Sequence, residues 1–160
     1  RQGRAGIARF RGAVRMGPDR NMPPAPDFFD DSRWPLLVLR LPGTLSLSQF
    51  EACLAGLAGY LRRGERFVLL VDLRRVSLVP LDQRWRQVEW LEEHDQLVRD
   101  HVIGSANIIT SPLVRLAVSA ILYFKRAPVP LTFVADERAA EAWAEERLEE
   151  ERRARPPPAR

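Results

Sequence analysis

The sequence holds a single cysteine, Cys53, so no disulfide can form within it and nothing points to an oxidising compartment. It holds two histidines, His94 and His101, seven residues apart. On one helix that spacing separates them by about 10 Å, too far to share a metal ion. There is no cluster of His, Cys, Asp or Glu with ligand spacing, no glycine-rich phosphate loop and no nucleophile elbow. The sequence therefore gives no ground for a metal, a cofactor or a catalytic nucleophile, and a non-enzyme is the expectation. No apolar run reaches the ~18–20 residues that cross a bilayer. The nearest, Pro112–Phe124, is short and is broken by Arg115 and Ser119. A soluble cytoplasmic protein is expected. Lys125 is the only lysine, so the basic charge is arginine.

That charge is unevenly placed. The net charge is +4, yet residues 1–21 carry six arginines against one acid, Asp19. The remaining 139 residues carry 19 basic and 20 acidic side chains, a net of −1. A nucleic-acid-binding body is not what this distribution describes. Residues 1–26 read as a basic, Pro-rich arm rich in Arg, Gly and Ala, with little to bury. They are either a tail for nucleic acid or an acidic membrane surface, or disordered chain ahead of a start at Met16 or Met22. No apolar segment follows the arginines, so they do not form a secretory signal.

What the sequence has in quantity is alternation. Trp34–Leu41, Phe67–Leu73, Val102–Thr110 and Leu131–Ala135 are short apolar runs, each followed by a helical pattern. That rhythm selects a layered α/β domain over residues 27–151, with a mostly parallel sheet of four or five strands. Phe28–Phe29 pairs with Trp34–Leu41 as an antiparallel edge hairpin, its turn at Asp30–Arg33. Ser46 and Gln49 form a capping box for a helix to about Arg63, with Phe50, Cys53, Leu54, Leu57 and Leu61 inward and Gly64 as the left-handed cap. Gly56 and Gly59 weaken that helix and permit close approach to the sheet. Phe67–Val71 has the continuous apolarity of a central strand. A second helix runs from Pro80 to Asp100, with Leu81, Trp85, Val88, Leu91, Val98 and Val102 as its core stripe. Ser111 and Pro112 open a third helix, to Lys125, and Glu137–Glu151 forms the fourth, with Ala140, Trp143, Ala144 and Leu148 inward. Residues 152–160, with three prolines, are expected to be a disordered tail.

From Trp34 to Leu148 the pattern resembles the STAS-like domain, the anti-sigma-factor-antagonist fold, and within it a small bacterial group related to the CRAL-TRIO lipid-binding fold. The residues that carry the likeness are Trp34-Pro35-Leu36-Leu37-Val38, Leu45-Ser46-Leu47-Ser48-Gln49-Phe50, Phe67–Pro80 and the Trp143 helix. The resemblance implies regulation through protein contacts. In antagonists of the switching type an Asp-Ser-Ser-Gly segment opens the helix after the second long strand, and one serine accepts phosphate. Asp72–Asp82 matches the approach but lacks the serine pair and the glycine, and Asp82 falls near the acceptor position. No phosphoacceptor is carried over.

Candidate residues fall into two sets. The first lies at strand ends, where α/β sheets bind ligands: Asp72, Arg74, Asp82 and Ser111. Asp72 can equally pair with a neighbouring arginine or a loop amide, and Asp82 in a first helical turn simply favours the helix dipole. The second set is for partner contact: Trp90, His94 and Leu97 on the second helix, and Val114 and Ile121 on the third. The third helix is apolar around most of its circumference, leaving only the stripe Ser111, Arg115, Ser119, Leu122 and Arg126. A surface helix needs an apolar arc of little over 100°. The surplus must be covered by the terminal helix, a second copy, a protein partner or an apolar ligand. A non-catalytic module acting through protein contacts, as a homodimer, is the leading expectation. The alternative is a carrier or sensor of an apolar small molecule between the third helix and the sheet, which calls for a cavity of at least ~300 Å³. Any salt-sensitive nucleic-acid binding should disappear when residues 1–21 are deleted, as a filter-binding assay across a salt series would show.

Overall fold

The structure, a computed structural model, describes residues 27–155. Its elements are β1 (Phe29–Arg33), β2 (Leu36–Arg40), α1 (Leu47–Arg62), β3 (Phe67–Asp72), α2 (Leu81–Glu93), α3 (Asp95–His101), β4 (Val102–Ile108), α4 (Pro112–Phe124), β5 (Leu131–Val134) and α5 (Glu137–Ala154). One sheet takes the order β1-β2-β3-β4-β5. β1 and β2 are antiparallel and every later pair is parallel. The expected α/β class holds, with five strands. The basic arm lies outside the described residues.

The strand order never jumps, so each parallel crossover steps the same way across the sheet. Right-handed crossovers then place α1, α2–α3 and α4 on one face. Leu37, Leu39 and Leu69 point into that layer, against Cys53, Leu54, Leu61, Trp90 and Val98. Leu36, Val38, Val68, Leu70, Ala106 and Ile108 face the other way and pack on Ala140 and Ala144 of α5. Trp143 and Leu148 complete that second layer, as the helical spacing predicts. β3 is buried on both faces, which is why it reads as unbroken Phe67–Val71.

Local signals set the helix ends. The Ser46 side chain accepts from the Gln49 amide, and the Gln49 side chain accepts from Ser46. Gly64 turns the chain with φ of 75°. Ser111 accepts from the Val114 amide, with Pro112 opening α4. Gly56 admits the Phe29 ring, to which an added Cβ would come within 2.6 Å; Gly59 faces open space.

Four expectations are corrected. The hairpin reverses at Trp34-Pro35, and Asp30–Arg33 is strand. The turn-forming residues instead make a register irregularity in β1, where the Asp30 carboxylate accepts from the Ser32 amide and hydroxyl. The helix expected over 80–100 is two, broken at His94, with Pro80 capping α2. Within α2 Trp90 stands about 180° round the helix from Leu81, and the core takes the Trp90 side, so Leu81 and Trp85 are exposed while Trp90 is buried. α5 continues past residue 151 to Ala154, taking in part of the expected tail; residues 156–160 lie outside the described ones. And α5 does not cover α4, because the two helices lie on opposite faces of the sheet.

At Gly104 the sheet and α5 approach closely. A Cβ there would lie 2.7 Å from the Trp143 ring and 3.2 Å from the Pro130 carbonyl. Gly104→Ala is expected to cost ~1–3 kcal/mol through overpacking. Gly59→Ala, at an open helical position, is expected to gain ~0.5–1 kcal/mol. Urea unfolding of the two variants checks both signs.

Candidate functional site

β4 carries two polar side chains in an apolar setting, Ser105 and Asn107. They are two residues apart and so share a face, opposite the face of Gly104, Ala106 and Ile108 that meets α5. On their own face Ser105 lies between Leu69 and Leu131, and Asn107 between Val71 and Phe133. Above them is a cavity of about 230 Å³ between the sheet and α1, α2 and α4. Leu54, Leu57, Leu69, Val71, Trp90 and Ile121 are among its walls. The cavity is smaller than the ~300 Å³ expected for a carrier, yet the core is not tightly filled there. Its lining includes Gln83, Gln87, Ser105 and Asn107 but no Asp, Glu, Lys, Arg or His. Gln83 is committed, donating to the Leu45 carbonyl at 2.7 Å. Cys53 also lines it, and burial pushes its thiol up to about 12, so it is an inert apolar wall at neutral pH.

The outer surface of the same layer is apolar. Leu113, Leu116, Tyr123 and Phe124 of α4 and Leu81 and Trp85 of α2 are between 47% and 83% exposed. At 100° per residue the four α4 side chains share one arc of about 100°. The Trp85 and Phe124 rings meet at 4.8 Å, joining the two helices into one patch. Val114 and Ile121, expected to contact a partner, point instead at the sheet and are buried. The expected contact face on α2 is corrected likewise. Trp90 is 3% exposed, His94 stacks on it at 4.3 Å, and Leu97 packs against the core. His94 Nδ1 is 2.9 Å from the Trp90 carbonyl across the helix break.

The strand-end candidates do not converge. Arg74 holds the Asp72 carboxylate through Nε at 3.0 Å and Nη2 at 2.7 Å, and its amide donates to the same group. Arg74 also reaches Glu137, which pairs with Arg40, which in turn reaches Asp30. This chain of charges ties the start of α5 to the carboxyl ends of β2 and β3. Asp82 accepts from the Gln83 amide in the first turn of α2, and Ser111 caps α4. No hydrogen bond among the described residues links Asp72 and Arg74 to either.

No family model matches the chain, and no curated protein matches it. Among solved structures it is similar to an uncharacterized protein of the DUF3478 family from Shewanella loihica PV-4, described as having a SpoIIAA-like fold. The likeness has 21% identity and a TM-score of 0.53, and it covers 68% of this chain and 83% of that one. This chain has a SpoIIAA-like fold. It is the STAS architecture that the βα rhythm and the Trp34–Val38 and Leu45–Phe50 segments led us to expect. Within the SpoIIAA-like frame, Ser77 lies in the loop before α2 and its hydroxyl is 3.2 Å from that of Thr44. The sequence reading missed Ser105 and Asn107. Their signal was two polar residues at strand period inside an apolar run.

The Arg74 hydrogen bonds hold the Asp72 carboxyl below the usual carboxylate range, against the opposing effect of burial. A lowered folded-state value means the stabilisation is present above the unfolded value near ~4 and drains away as pH falls through the folded one. Asp72→Asn is therefore expected to lose about 1 kcal/mol at pH 7. Its melting temperature should converge on that of the wild type toward pH 2, as thermal melts across a pH series would show.

Proposed function

We propose that this domain is a non-catalytic regulatory or scaffolding module that works through protein contact, and that it pairs with a second copy of itself through α2 and α4. The observation that carries this reading is the patch of Leu81, Trp85, Leu113, Leu116, Tyr123 and Phe124, uncovered among the described residues. An apolar patch joined across two helices is unusual on a monomer, and aromatic side chains are favoured at interface centres. A two-fold pair buries the same patch from both copies, so one apolar surface needs no separate partner surface. The phosphoserine switch plays no part in it: Asp82 stands near the acceptor position and serves its own helix.

A second reading, a binder of an apolar small molecule, is favoured by the cavity over Ser105 and Asn107. The two readings use different sides of the same helices and separate by experiment.

Sedimentation equilibrium of the full chain over a hundredfold concentration range is expected to show a dimer. Leu116→Glu and Tyr123→Glu alter side chains that are 67% and 83% exposed, so circular dichroism and the melting temperature of the monomer should stay unchanged. Each should weaken pairing by at least about a hundredfold, the scale of burying an unpaired charge in an interface. A wild-type monomer throughout, or a dimer indifferent to both substitutions, overturns the self-association reading.

A further inference from the structure

The cavity has one polar end, and its chemistry restricts what it can hold. Asn107 is 7% exposed and looks into the cavity from the second-last residue of β4. Its side chain can make up to four hydrogen bonds. Among the described residues it makes one, and a long one, from Nδ2 to Ser105 Oγ at 3.5 Å. Its Oδ1 accepts none. That oxygen is open to the cavity, and native structures ordinarily give such a group a partner, from the protein, from water or from a ligand. The strand neighbours on that face, Val71, Phe133, Leu69 and Leu131, have no polar side-chain atom to offer. The remaining partner is whatever occupies the cavity.

The walls also exclude charge. With no ionisable acid or base lining it, the cavity has nothing to offset the desolvation of a carboxylate or an ammonium. Its size fits a small molecule, since a cavity of ~150 Å³ lined by Leu, Ile and Phe already admits benzene. Resting on the second reading above, we infer that the cavity takes a neutral, mostly apolar small molecule bearing one hydrogen-bonding group, a phenol, alcohol or ketone, and that Asn107 and Ser105 together grip that group. Because an amide both donates and accepts, either polarity of hydroxyl or carbonyl is met. An ionised fatty acid or aromatic acid is rejected.

Three probes of matched shape test this on the full chain at pH 8: 4-ethylphenol, ethylbenzene and 4-ethylbenzoate, each titrated calorimetrically. 4-Ethylphenol is expected to bind at least about tenfold more tightly than 4-ethylbenzoate. Asn107→Leu should shift the ratio of 4-ethylphenol to ethylbenzene affinity about three- to tenfold toward the hydrocarbon, the worth of one hydrogen bond. Should Asn107→Leu fail to fold, the wild type still reports. The Asn107 side-chain amide resonances are expected to move on adding 4-ethylphenol and to stay in place, or move differently, with ethylbenzene. If none of the probes binds at millimolar concentration, the cavity reading itself falls. If the three bind alike, or the Asn107 amide does not respond to the phenol, the cavity stands and the polar grip is wrong.

Discussion

Three right-handed crossovers that all step the same way across one sheet govern the rest of this molecule. They crowd α1, α2–α3 and α4 onto a single face, and only α5, which follows the last strand, remains to close the other. The two faces are consequently packed by different means. On the α5 side one helix seats on small residues, with Ala140 and Ala144 against the sheet and Trp143 lying on Gly104. Across the sheet three crossovers must share one surface. They meet well around Trp90, Leu54 and Leu61, and leave a cavity where α2 and α4 bridge β4. The cavity and the exposed outer patch arise together, because α4 is apolar on more of its surface than a single sheet face can use.

The carboxyl ends of the strands, where α/β sheets commonly bind their ligands, are here occupied by the protein's own charges. Asp30, Arg40, Glu137, Arg74 and Asp72 satisfy one another in sequence, and the N-terminus of α5 is drawn into the chain. Such half-exposed pairs contribute modestly to stability. Their placement has the larger effect, since it engages the outermost polar groups at the strand ends and leaves the Asn107 amide, one residue inside the carboxyl end of β4, facing the cavity.

Much of this was legible in the amino-acid sequence where the responsible interaction is local. Ser46 with Gln49, Ser111 with Pro112, and Gly64 act within a few residues, and the structure has each where the spacing puts it. The βα order gave the fold class, and the inner face of α5 followed from its period. The failures share a cause in tertiary competition. Asp30–Arg33 has turn composition, but pairing with β2 holds it extended and the reversal passes to Trp34-Pro35. A period drawn through residues 80–100 took Leu81 and Trp85 as the buried side of one straight helix, whereas the core claimed the opposite arc of α2, with Trp90, and the helix ended at His94. The choice of Val114 and Ile121 as contact residues took the apolar arc correctly but could not say which part the sheet would claim. A void is a remainder of packing, and no residue pattern encodes one directly; only the polar pair on β4 announced it.

The edges of the sheet bear on what this domain can build. On one flank β1 presents Asp30, Asp31, Ser32 and Arg33, with Asp31 held by Tyr60 and Arg63. A short outer strand of charged side chains with a register irregularity is a poor partner for another strand edge. On the opposite flank β5 is four residues long, with Pro128 and Pro130 just ahead of it. Among the described residues neither rim offers a long, flat, apolar template for ribbon-to-ribbon growth, and the sheet is built to end at both of its edges.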